Sequence, residues 1–191
     1  MDLHLTGDAD ADTLLSSDPF ALLIGMLLDQ QVAMETAFVG PHKIAERVGG
    51  IDAVTIAGMD PEEFKALCAT PPAVHRFPGS MAERIQALAA AIVTEYDGDA
   101  SRIWTAGDPD GGEVLRRLKA LPGYGEQKAK IFLALLGKQA GLAAPGWREA
   151  AGNYGEPGSY RSIADVVDPD SLLKVRETKR AAKAAAKAAK A

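Results

Sequence analysis

Residues 121–130 read LPGYGEQKAK, a proline-led turn with two glycines that leads into a charged segment. Amphipathic patterns lie on both sides, GGEVLRRLKA at 111–120 and EQKAKIFLALLGK at 126–138, with apolar residues at helical spacing. The stretch therefore predicts two helices joined by a tight hairpin. Because glycine has no side chain, Gly123 and Gly125 permit the sharp turn that such a hairpin needs.

The hairpin has the features of a phosphate-binding turn. Main-chain N–H groups beside two bare glycines, at the positive end of the second helix, can approach a phosphate closely. Lys128 and Lys130 follow within the first two turns of that helix, and Arg116, Arg117 and Lys119 precede the hairpin. The alternative is a plain corner between two helices, in which the glycines only permit the turn.

The remaining sequence predicts an all-α protein. Asp is followed by Pro at Asp18, Asp60 and Asp168, a pair typical of the N-cap and the first position of a helix. Four clusters of Gly, Pro and polar residues interrupt the helical patterns, at 40–42, 70–80, 107–112 and 141–147. These breaks predict roughly eight to ten helices with short connections.

Composition limits the class of protein. With 47% hydrophobic and 25% charged residues among 191, the chain can bury a core. The single cysteine, Cys68, excludes an intramolecular disulfide and a four-cysteine iron–sulfur cluster. The N-terminus has no signal pattern, and the apolar run FALLIGMLL at 20–28 is too short to span a membrane. We therefore expect a soluble cytoplasmic protein without a membrane partner.

The C-terminal residues differ in charge from the rest of the chain. The net charge is −5, yet residues 171–191 hold seven Lys or Arg against one Glu. We expect a globular unit at 1–172 and a basic Ala/Lys-rich tail at 173–191. A basic tail on an acidic body is typical of an arm that binds a polyanion, and the alternative is a solvated helix that only aids solubility.

The hairpin resembles that of the helix-hairpin-helix DNA glycosylase superfamily (HhH-GPD), whose pattern is Leu-Pro-Gly-hydrophobic-Gly followed by a helix. Upstream, GMLLDQQVAMETA at 25–37 resembles the segment that carries Gln or Asn toward the DNA in that family. The resemblance covers most of residues 18–165. It implies an all-α, two-lobed helix-hairpin-helix glycosylase-like fold with a central cleft, into which a damaged base is flipped from double-stranded DNA.

The resemblance also implies how the DNA is held. Main-chain amides of the hairpin would grip one strand, with a monovalent cation, Na⁺ or K⁺, at the hairpin carbonyls. The hairpin residues assigned to DNA on this basis are Gly123, Tyr124, Gly125, Lys128 and Lys130. Gln30 or Gln31 would fill the gap left by the flipped base or contact the opposite strand. The alternative for both glutamines is a polar cap at a helix end on the surface.

Two further sets of residues follow from the same resemblance. The segment VHRFPGSMAER at 74–84 resembles the family's other minor-groove loop, so that Arg76 or Phe77 would act as a wedge. Trp147 and Tyr154 are candidates to stack on the extruded base, in the base pocket. The alternative is that these two aromatic rings belong to the core or to the packing between lobes.

One part of the family pattern is missing. Counting from the hairpin places Pro145 where the family has an Asp that stabilises positive charge on the sugar or activates water. No Asp occurs between Asp110 and Asp165. Glu149, one helical turn further on, and Asp29, beside the glutamine pair, are the candidate catalytic replacements. The alternatives are an exposed first-turn Glu favoured by the helix dipole and a helix-end acceptor.

Position 127 also departs from part of the family. Bifunctional members carry there a Lys that forms a Schiff base with the sugar, and this chain has Gln127. Lys128 is adjacent, but one residue rotates it about 100° around the helix. We therefore predict no β-lyase activity. No metal site is expected either, because His4, His42 and His75 are scattered in the sequence.

Three functions are compatible with the sequence. The first is a monomeric, monofunctional DNA glycosylase of base excision repair, cytoplasmic and nucleoid-associated, that acts on double-stranded DNA containing a damaged or mispaired base. The second is a noncatalytic DNA-binding protein that uses the hairpin scaffold to recognise distorted DNA, which the missing Asp favours. The third is a helical protein-interaction module in which the hairpin is only a corner.

Overall fold

The computed structural model describes residues 3–188, and these residues form an all-α fold, as predicted. They contain eleven α-helices and two 3-10 turns, with no strand. The helices are α1 (Ala9–Ser17), α2 (Pro19–Leu28), α3 (Met34–Val48), α4 (Ala53–Gly58), α5 (Pro61–Ala69), α6 (Pro78–Tyr96), α7 (Arg102–Thr105), α8 (Gly111–Ala120), α9 (Glu126–Gln139), α10 (Trp147–Ala151) and α11 (Pro169–Ala188). The 3-10 turns are Gly152–Tyr154 and Ile163–Asp165. The helix count exceeds the expected one, because helices as short as α7 and α10 leave little periodic pattern.

The helix starts predicted from Asp-Pro pairs are confirmed. The side chain of Asp18 accepts a hydrogen bond from the main-chain N–H three residues on at 2.8 Å, that of Asp60 at 3.0 Å and that of Asp168 at 2.7 Å. In each case Pro occupies the first helical position, where its missing N–H costs nothing. These caps fix where α2, α5 and α11 begin.

The predicted break at 40–42 is wrong, because α3 continues through it with Pro41 inside the helix. Gly40 brings α3 close to α2, since a Cβ at this position would lie 2.4 Å from Leu28 Cδ1. The burial gained at this close crossing outweighs the local cost of Gly and Pro inside a helix. The other three breaks fall at loops, between α5 and α6, α7 and α8, and α9 and α10.

The helices form two groups that meet at the carboxyl end of α2. The first group packs α2 to α6 together, with α1 against α2 and α3, and the second contains α7 to α11 with both 3-10 turns. All of Phe20–Leu28 in α2 is buried, because this helix is apolar on every face. No single helix within residues 3–188 is long and apolar enough to cross a membrane, and α1 with α2 passes that test only as a pair bent by 117°.

Helix α11 crosses the predicted boundary at 172/173 without interruption. Val175 is buried, Arg176 pairs with Glu35 of α3, and Lys179 Nζ lies 3.8 Å from the sulfur of Met34. The first half of α11 therefore packs on the globular body. Residues 189–191 of the predicted tail lie outside the described part of the chain.

Candidate nucleic-acid interface and cleft

The hairpin between α8 and α9 is anchored to the core by Tyr124. Its ring is only 4% exposed and packs edge-on against Phe132, and its hydroxyl donates a 2.7 Å hydrogen bond to the Leu23 carbonyl of α2. Burial raises the pKa of Tyr124 well above its ordinary value. The prediction that Tyr124 belongs to the DNA contacts can therefore concern only its main chain, because its side chain faces inward and holds the hairpin in place.

The two hairpin glycines have different physical roles. Gly123 has a left-handed φ of +81°, and a Cβ there would lie 2.3 Å from Leu27 Cδ1, so both its conformation and its packing require glycine. Gly125 has an ordinary φ of −73°, is exposed, and has no atom within 4 Å of the place where a Cβ would stand. It is the N-cap of α9 and offers no side chain to cap it. The first-turn N–H groups of α9 therefore lack an intrahelical partner and a side-chain cap at an exposed position.

An acidic residue and two lysines surround these amides. Glu126 accepts a hydrogen bond from Lys130 Nζ at 2.7 Å and faces Lys119 Nζ at 3.6 Å. The hydrogen bond from Lys130, followed by the charge of Lys119, lowers the pKa of Glu126, which is exposed. A phosphate at the hairpin would thus compete with one carboxylate for two lysine ammonium groups.

The arginines that precede the hairpin are engaged within the protein. Arg116 Nε and Arg117 Nε lie 2.7 and 2.8 Å from the carboxylate of Glu113, and these hydrogen bonds lower its pKa to about 2. Arg117 also donates to the carbonyls of Ile103 at 3.1 Å and Ala106 at 2.9 Å. Arg117 therefore ties α8 to α7, whereas Arg116, 70% exposed, remains at the surface.

Lys128 connects α9 to α2. Its Nζ donates to the Met26 carbonyl at 2.6 Å and to the Leu27 carbonyl at 2.9 Å, so the ammonium group sits at the negative end of α2. Burial lowers the pKa of Lys128 to about 8, and Asp29 nearby opposes that shift. The structure does not present Lys128 as a phosphate contact, because its ammonium donors are directed at two carbonyls of α2.

A cleft of about 510 Å³ lies between the carboxyl end of α2, the first turns of α9, residues 153, 154 and 161, and α11. Five residues singled out from the sequence meet there, namely Asp29, Gln30, Gln31, Lys128 and Tyr154. The cleft is also bordered by Gln127, Arg161 and Lys179, to which the sequence analysis gave no role in a pocket. Gln127 Nε2 donates a 2.9 Å hydrogen bond to the Tyr154 hydroxyl.

The two adjacent glutamines differ in their freedom. The Gln30 amide nitrogen donates to the Leu27 carbonyl at 2.8 Å, and its amide oxygen accepts from Arg84 Nη1 at 3.1 Å. Gln31 is exposed and has a left-handed φ of 58°, a conformation uncommon outside glycine. Of the pair, Gln31 is therefore the residue whose amide is free to contact DNA.

His75 links the predicted wedge loop to the glutamines. The Phe77 N–H donates to His75 Nδ1 at 3.1 Å, so the neutral ring carries its proton on Nε2, which donates to the Gln30 carbonyl at 2.9 Å. His75 is buried, while Phe77 is 43% exposed with the Arg76 guanidinium 4.7 Å from its ring centre. The structure thus presents Phe77 as a projecting aromatic ring on a loop fixed to the cleft edge. No sequence pattern indicated this role for His75.

Trp147 and Glu149 are not brought to the cleft. Trp147 is buried on α10 against Gly137 of α9, where a Cβ would lie 2.4 Å from its ring. Glu149 is exposed on the same short helix, which packs on α8 and α9. The Pro145 carbonyl accepts a 2.7 Å hydrogen bond from the Gly111 N–H at the start of α8. The assignment of Trp147 to a base pocket is therefore replaced by its alternative, a core aromatic.

Comparison with known proteins agrees with this geometry. Residues 24–187 match the family described as HhH-GPD superfamily base excision DNA repair protein, a range that runs from α2 into α11 and contains the hairpin and the cleft. A comparison with curated proteins finds no match for this chain. Because the matched range covers well over half of the sequence, the protein belongs to the HhH-GPD superfamily, and the resemblance inferred from the hairpin is confirmed. Membership places it among DNA-binding proteins of base excision repair.

Proposed function

We propose that this member of the HhH-GPD superfamily is a monofunctional DNA N-glycosylase that hydrolyses the bond between a flipped, damaged base and its sugar. The supporting observation is the composition of the cleft. Among the described residues that border it, one carboxylate, Asp29 at the end of α2, lies with amide and hydroxyl groups, and the border includes the first turn of α9, whose N-terminus offers uncapped main-chain donors. An enzyme that acts on a glycosidic bond needs such a cleft, because the bond cannot be reached within the stacked duplex.

DNA binding begins at the hairpin in this proposal. The N–H groups after Gly125 bind a phosphate of one strand. Lys119 and Lys130, which pair with Glu126 in the free protein, then pair with that phosphate instead. Phe77 enters the minor groove and unstacks the target base pair, since exposed apolar side chains are the usual wedges there. Gln31 hydrogen-bonds the base left without a partner.

The chemical step relies on Asp29. Breaking the bond between the base nitrogen and C1′ leaves positive charge on the sugar, and a carboxylate at the cleft stabilises that charge. The same carboxylate accepts a proton from the water whose oxygen bonds to C1′, while the base leaves with the bond's electron pair and takes a proton from solvent water. The Asp29 carboxylate lies close enough to Lys128 to interact with its ammonium group.

The cleft favours Asp29 over Glu149 for this role. Asp29 ends α2 and borders the cleft, partly buried beside Lys128. Glu149 lies on α10, exposed and outside the residues that border the cleft. A catalytic carboxylate must be within reach of the sugar, so its position at the cleft supports Asp29 as the proposed residue.

The absence of lyase activity is part of the proposal. The side-chain amide of Gln127 has no nucleophilic nitrogen. The Met26 and Leu27 carbonyls hold the Lys128 side chain as an ammonium group, whereas a Schiff base requires a free amine. We therefore expect no covalent adduct when the protein is treated with borohydride on duplexes carrying a damaged or abasic site. An adduct lost in Lys128→Met would contradict monofunctional chemistry.

A monovalent cation at the hairpin carbonyls is part of the same proposal. Within residues 121–125, the Leu121 and Gly125 carbonyls already accept main-chain hydrogen bonds, and both glycines are exposed, which supports access of an ion to the remaining oxygens. Such an ion would supply positive charge between hairpin and phosphate. DNA binding is then expected to weaken when K⁺ or Na⁺ is replaced by tetramethylammonium at equal ionic strength. The monomeric state and the nucleoid location likewise stay predictions.

A noncatalytic DNA-binding protein is the second candidate, and one observation favours it. Pro145 occupies the place of the family's Asp, and its loop is tied to α8 through Gly111. The test of both functions is excision from matched duplexes containing uracil, hypoxanthine, 8-oxoguanine or an alkylated purine, read as alkali-labile strand breaks. Cleavage of at least one substrate supports the glycosylase, and tight binding without any cleavage supports the second candidate.

A further inference from the structure

We propose that Gln127 and Tyr154 together recognise the lactam edge of a neutral oxidised or deaminated base, meaning an N–H group directly beside a carbonyl. The inference rests on the proposed function in assuming that the flipped base enters the cleft. It adds the chemical class of that base, which neither family membership nor the sequence specifies.

The first support is the hydrogen bond between the two side chains. Gln127 Nε2 donates to the Tyr154 hydroxyl at 2.9 Å, which joins the first turn of α9 to the 3-10 turn at 152–154. The bond leaves Gln127 Oε1 as an acceptor and the Tyr154 hydroxyl proton as a donor, both at the border of the cleft. One acceptor next to one donor is the complement of an N–H beside a C=O. If the amide were turned over, the pair would still offer one donor and one acceptor.

The second support is that two other polar side chains at the cleft border, Gln30 and Lys128, already have hydrogen-bond partners within the protein. The Gln30 amide is hydrogen-bonded at both ends, to Leu27 and Arg84. The Lys128 ammonium group is held by two carbonyls at the end of α2. The pair formed by Gln127 and Tyr154, by contrast, has unused hydrogen-bonding capacity at the cleft border.

The third support is charge. Among the described residues at the border of the cleft, Lys128 and Lys179 face one carboxylate, Asp29, while Arg161 is paired with Glu156. A base with a formal positive charge, such as an N-alkylated purine, meets net repulsion there. Among the described residues that border the cleft, Tyr154 is the one aromatic, so a two-sided stack that attracts cationic rings is missing.

These features together select a neutral base with an intact lactam. Hypoxanthine, uracil and 8-oxoguanine have an N–H beside a carbonyl and no formal charge. 1,N6-ethenoadenine is neutral but has no ring N–H, and 7-methylguanine keeps a lactam but is cationic. A site built to hydrogen-bond an N–H rejects an analogue without it more strongly than an apolar pocket would, because its polar groups are left unpaired.

The test is equilibrium binding, measured by fluorescence anisotropy, to three duplexes that differ only in the central base: hypoxanthine, 1,N6-ethenoadenine or 7-methylguanine. Each carries a 2′-fluoro sugar, which slows glycosidic cleavage and separates binding from chemistry. We expect hypoxanthine to bind about tenfold or more tightly than either other base. Gln127→Leu and Tyr154→Phe should each reduce the preference over 1,N6-ethenoadenine about tenfold, and the double variant little further, because the two side chains act as a unit. The preference over 7-methylguanine, which rests on charge, should remain.

Tyr160→Phe is the matched control, since this exposed tyrosine lies outside the cleft and its loss should leave the preference unchanged. Equal binding of the three duplexes, or a preference for hypoxanthine over 1,N6-ethenoadenine that survives both cleft substitutions, would overturn the inference. Failure of the proposed function has a different signature. A preference for hypoxanthine without excision from the 2′-deoxy duplex would support the inference and contradict hydrolysis. Excision without that preference would support hydrolysis and contradict the inference.

Discussion

The hairpin makes a prediction that separates its structural from its binding role, because its two glycines are constrained differently. Gly125→Val adds a side chain at an exposed N-cap with an ordinary φ of −73° and open space around it. Stability should change by less than about 1 kcal/mol, the cost of replacing Gly at an N-cap. Gly123→Ala places a Cβ 2.3 Å from Leu27 at a φ of +81°.

The two variants are expected to affect different properties: Gly123→Ala lowers stability, and Gly125→Val lowers DNA affinity. For Gly123→Ala, left-handed strain and displacement of Leu27 together cost about 2–4 kcal/mol, or roughly 5–15 °C in Tm. For Gly125→Val, the new side chain keeps a phosphate from the uncapped N–H groups of α9. Loss of one hydrogen bond to a charged oxygen costs about 1.5–3 kcal/mol, so DNA binding should weaken about 10- to 150-fold.

Thermal unfolding and fluorescence anisotropy with a damaged duplex measure the two effects. Gly58→Val is the matched control, since Gly58 is exposed, has no atom within 4 Å of an added Cβ and lies in α4 of the other helix group. Wild-type DNA affinity in Gly125→Val, with the fold intact, would refute the idea that the hairpin amides meet the phosphate backbone.

Three further predictions concern the anchor, the buried lysine and the tail. Tyr124→Phe leaves the buried Leu23 carbonyl without its donor and should lower the unfolding free energy by about 1–2 kcal/mol, measured by urea denaturation; an unchanged midpoint would contradict the anchoring role. Lys128 has a folded-state pKa of about 8 against 10.5 ordinarily, so the unfolded chain holds the extra proton between these values. Wild type should therefore gain up to ~3 kcal/mol over Lys128→Met as pH rises from 8 to 10.5, and no relative gain would show an unshifted lysine. Truncation after Arg180 removes the lysines of residues 181–191 but keeps buried Val175, so stability should hold while the salt dependence of DNA binding falls by about one to three charges; an unchanged salt slope would argue against a DNA-binding arm.

Local chemistry made much of the fold predictable. The side chains of Asp18, Asp60 and Asp168 cap the nearest helix, so the signal and the bond lie within three residues of each other. The hairpin was identifiable because its signal, too, lies within a few consecutive residues, 121–125. By contrast, α3 passes through Gly40 and Pro41 because of its packing against α2, which no local pattern records.

The site was less predictable, because contacts between residues far apart in the sequence determine which of its polar side chains have hydrogen-bond partners. Gln30 is engaged by Arg84 and Gln31 is not, a difference set 54 residues away in the chain. His75 joins Phe77 to the cleft edge only through the folded loop. Glu149 and Asp29 were equally acceptable as carboxylates in the sequence, and only the position of α10 outside the cleft separates them.

The most direct test of the account is single-turnover excision by Asp29→Asn, which keeps side-chain size but removes the charge. With the best substrate of the damaged-base panel, we predict a rate at least about 100-fold below wild type, because the carboxylate stabilises the charged sugar, while duplex affinity is retained. Glu149→Gln, the matched control, should excise at the wild-type rate. Full activity in Asp29→Asn, or a loss confined to Glu149→Gln, would contradict the assignment of catalysis to this cleft.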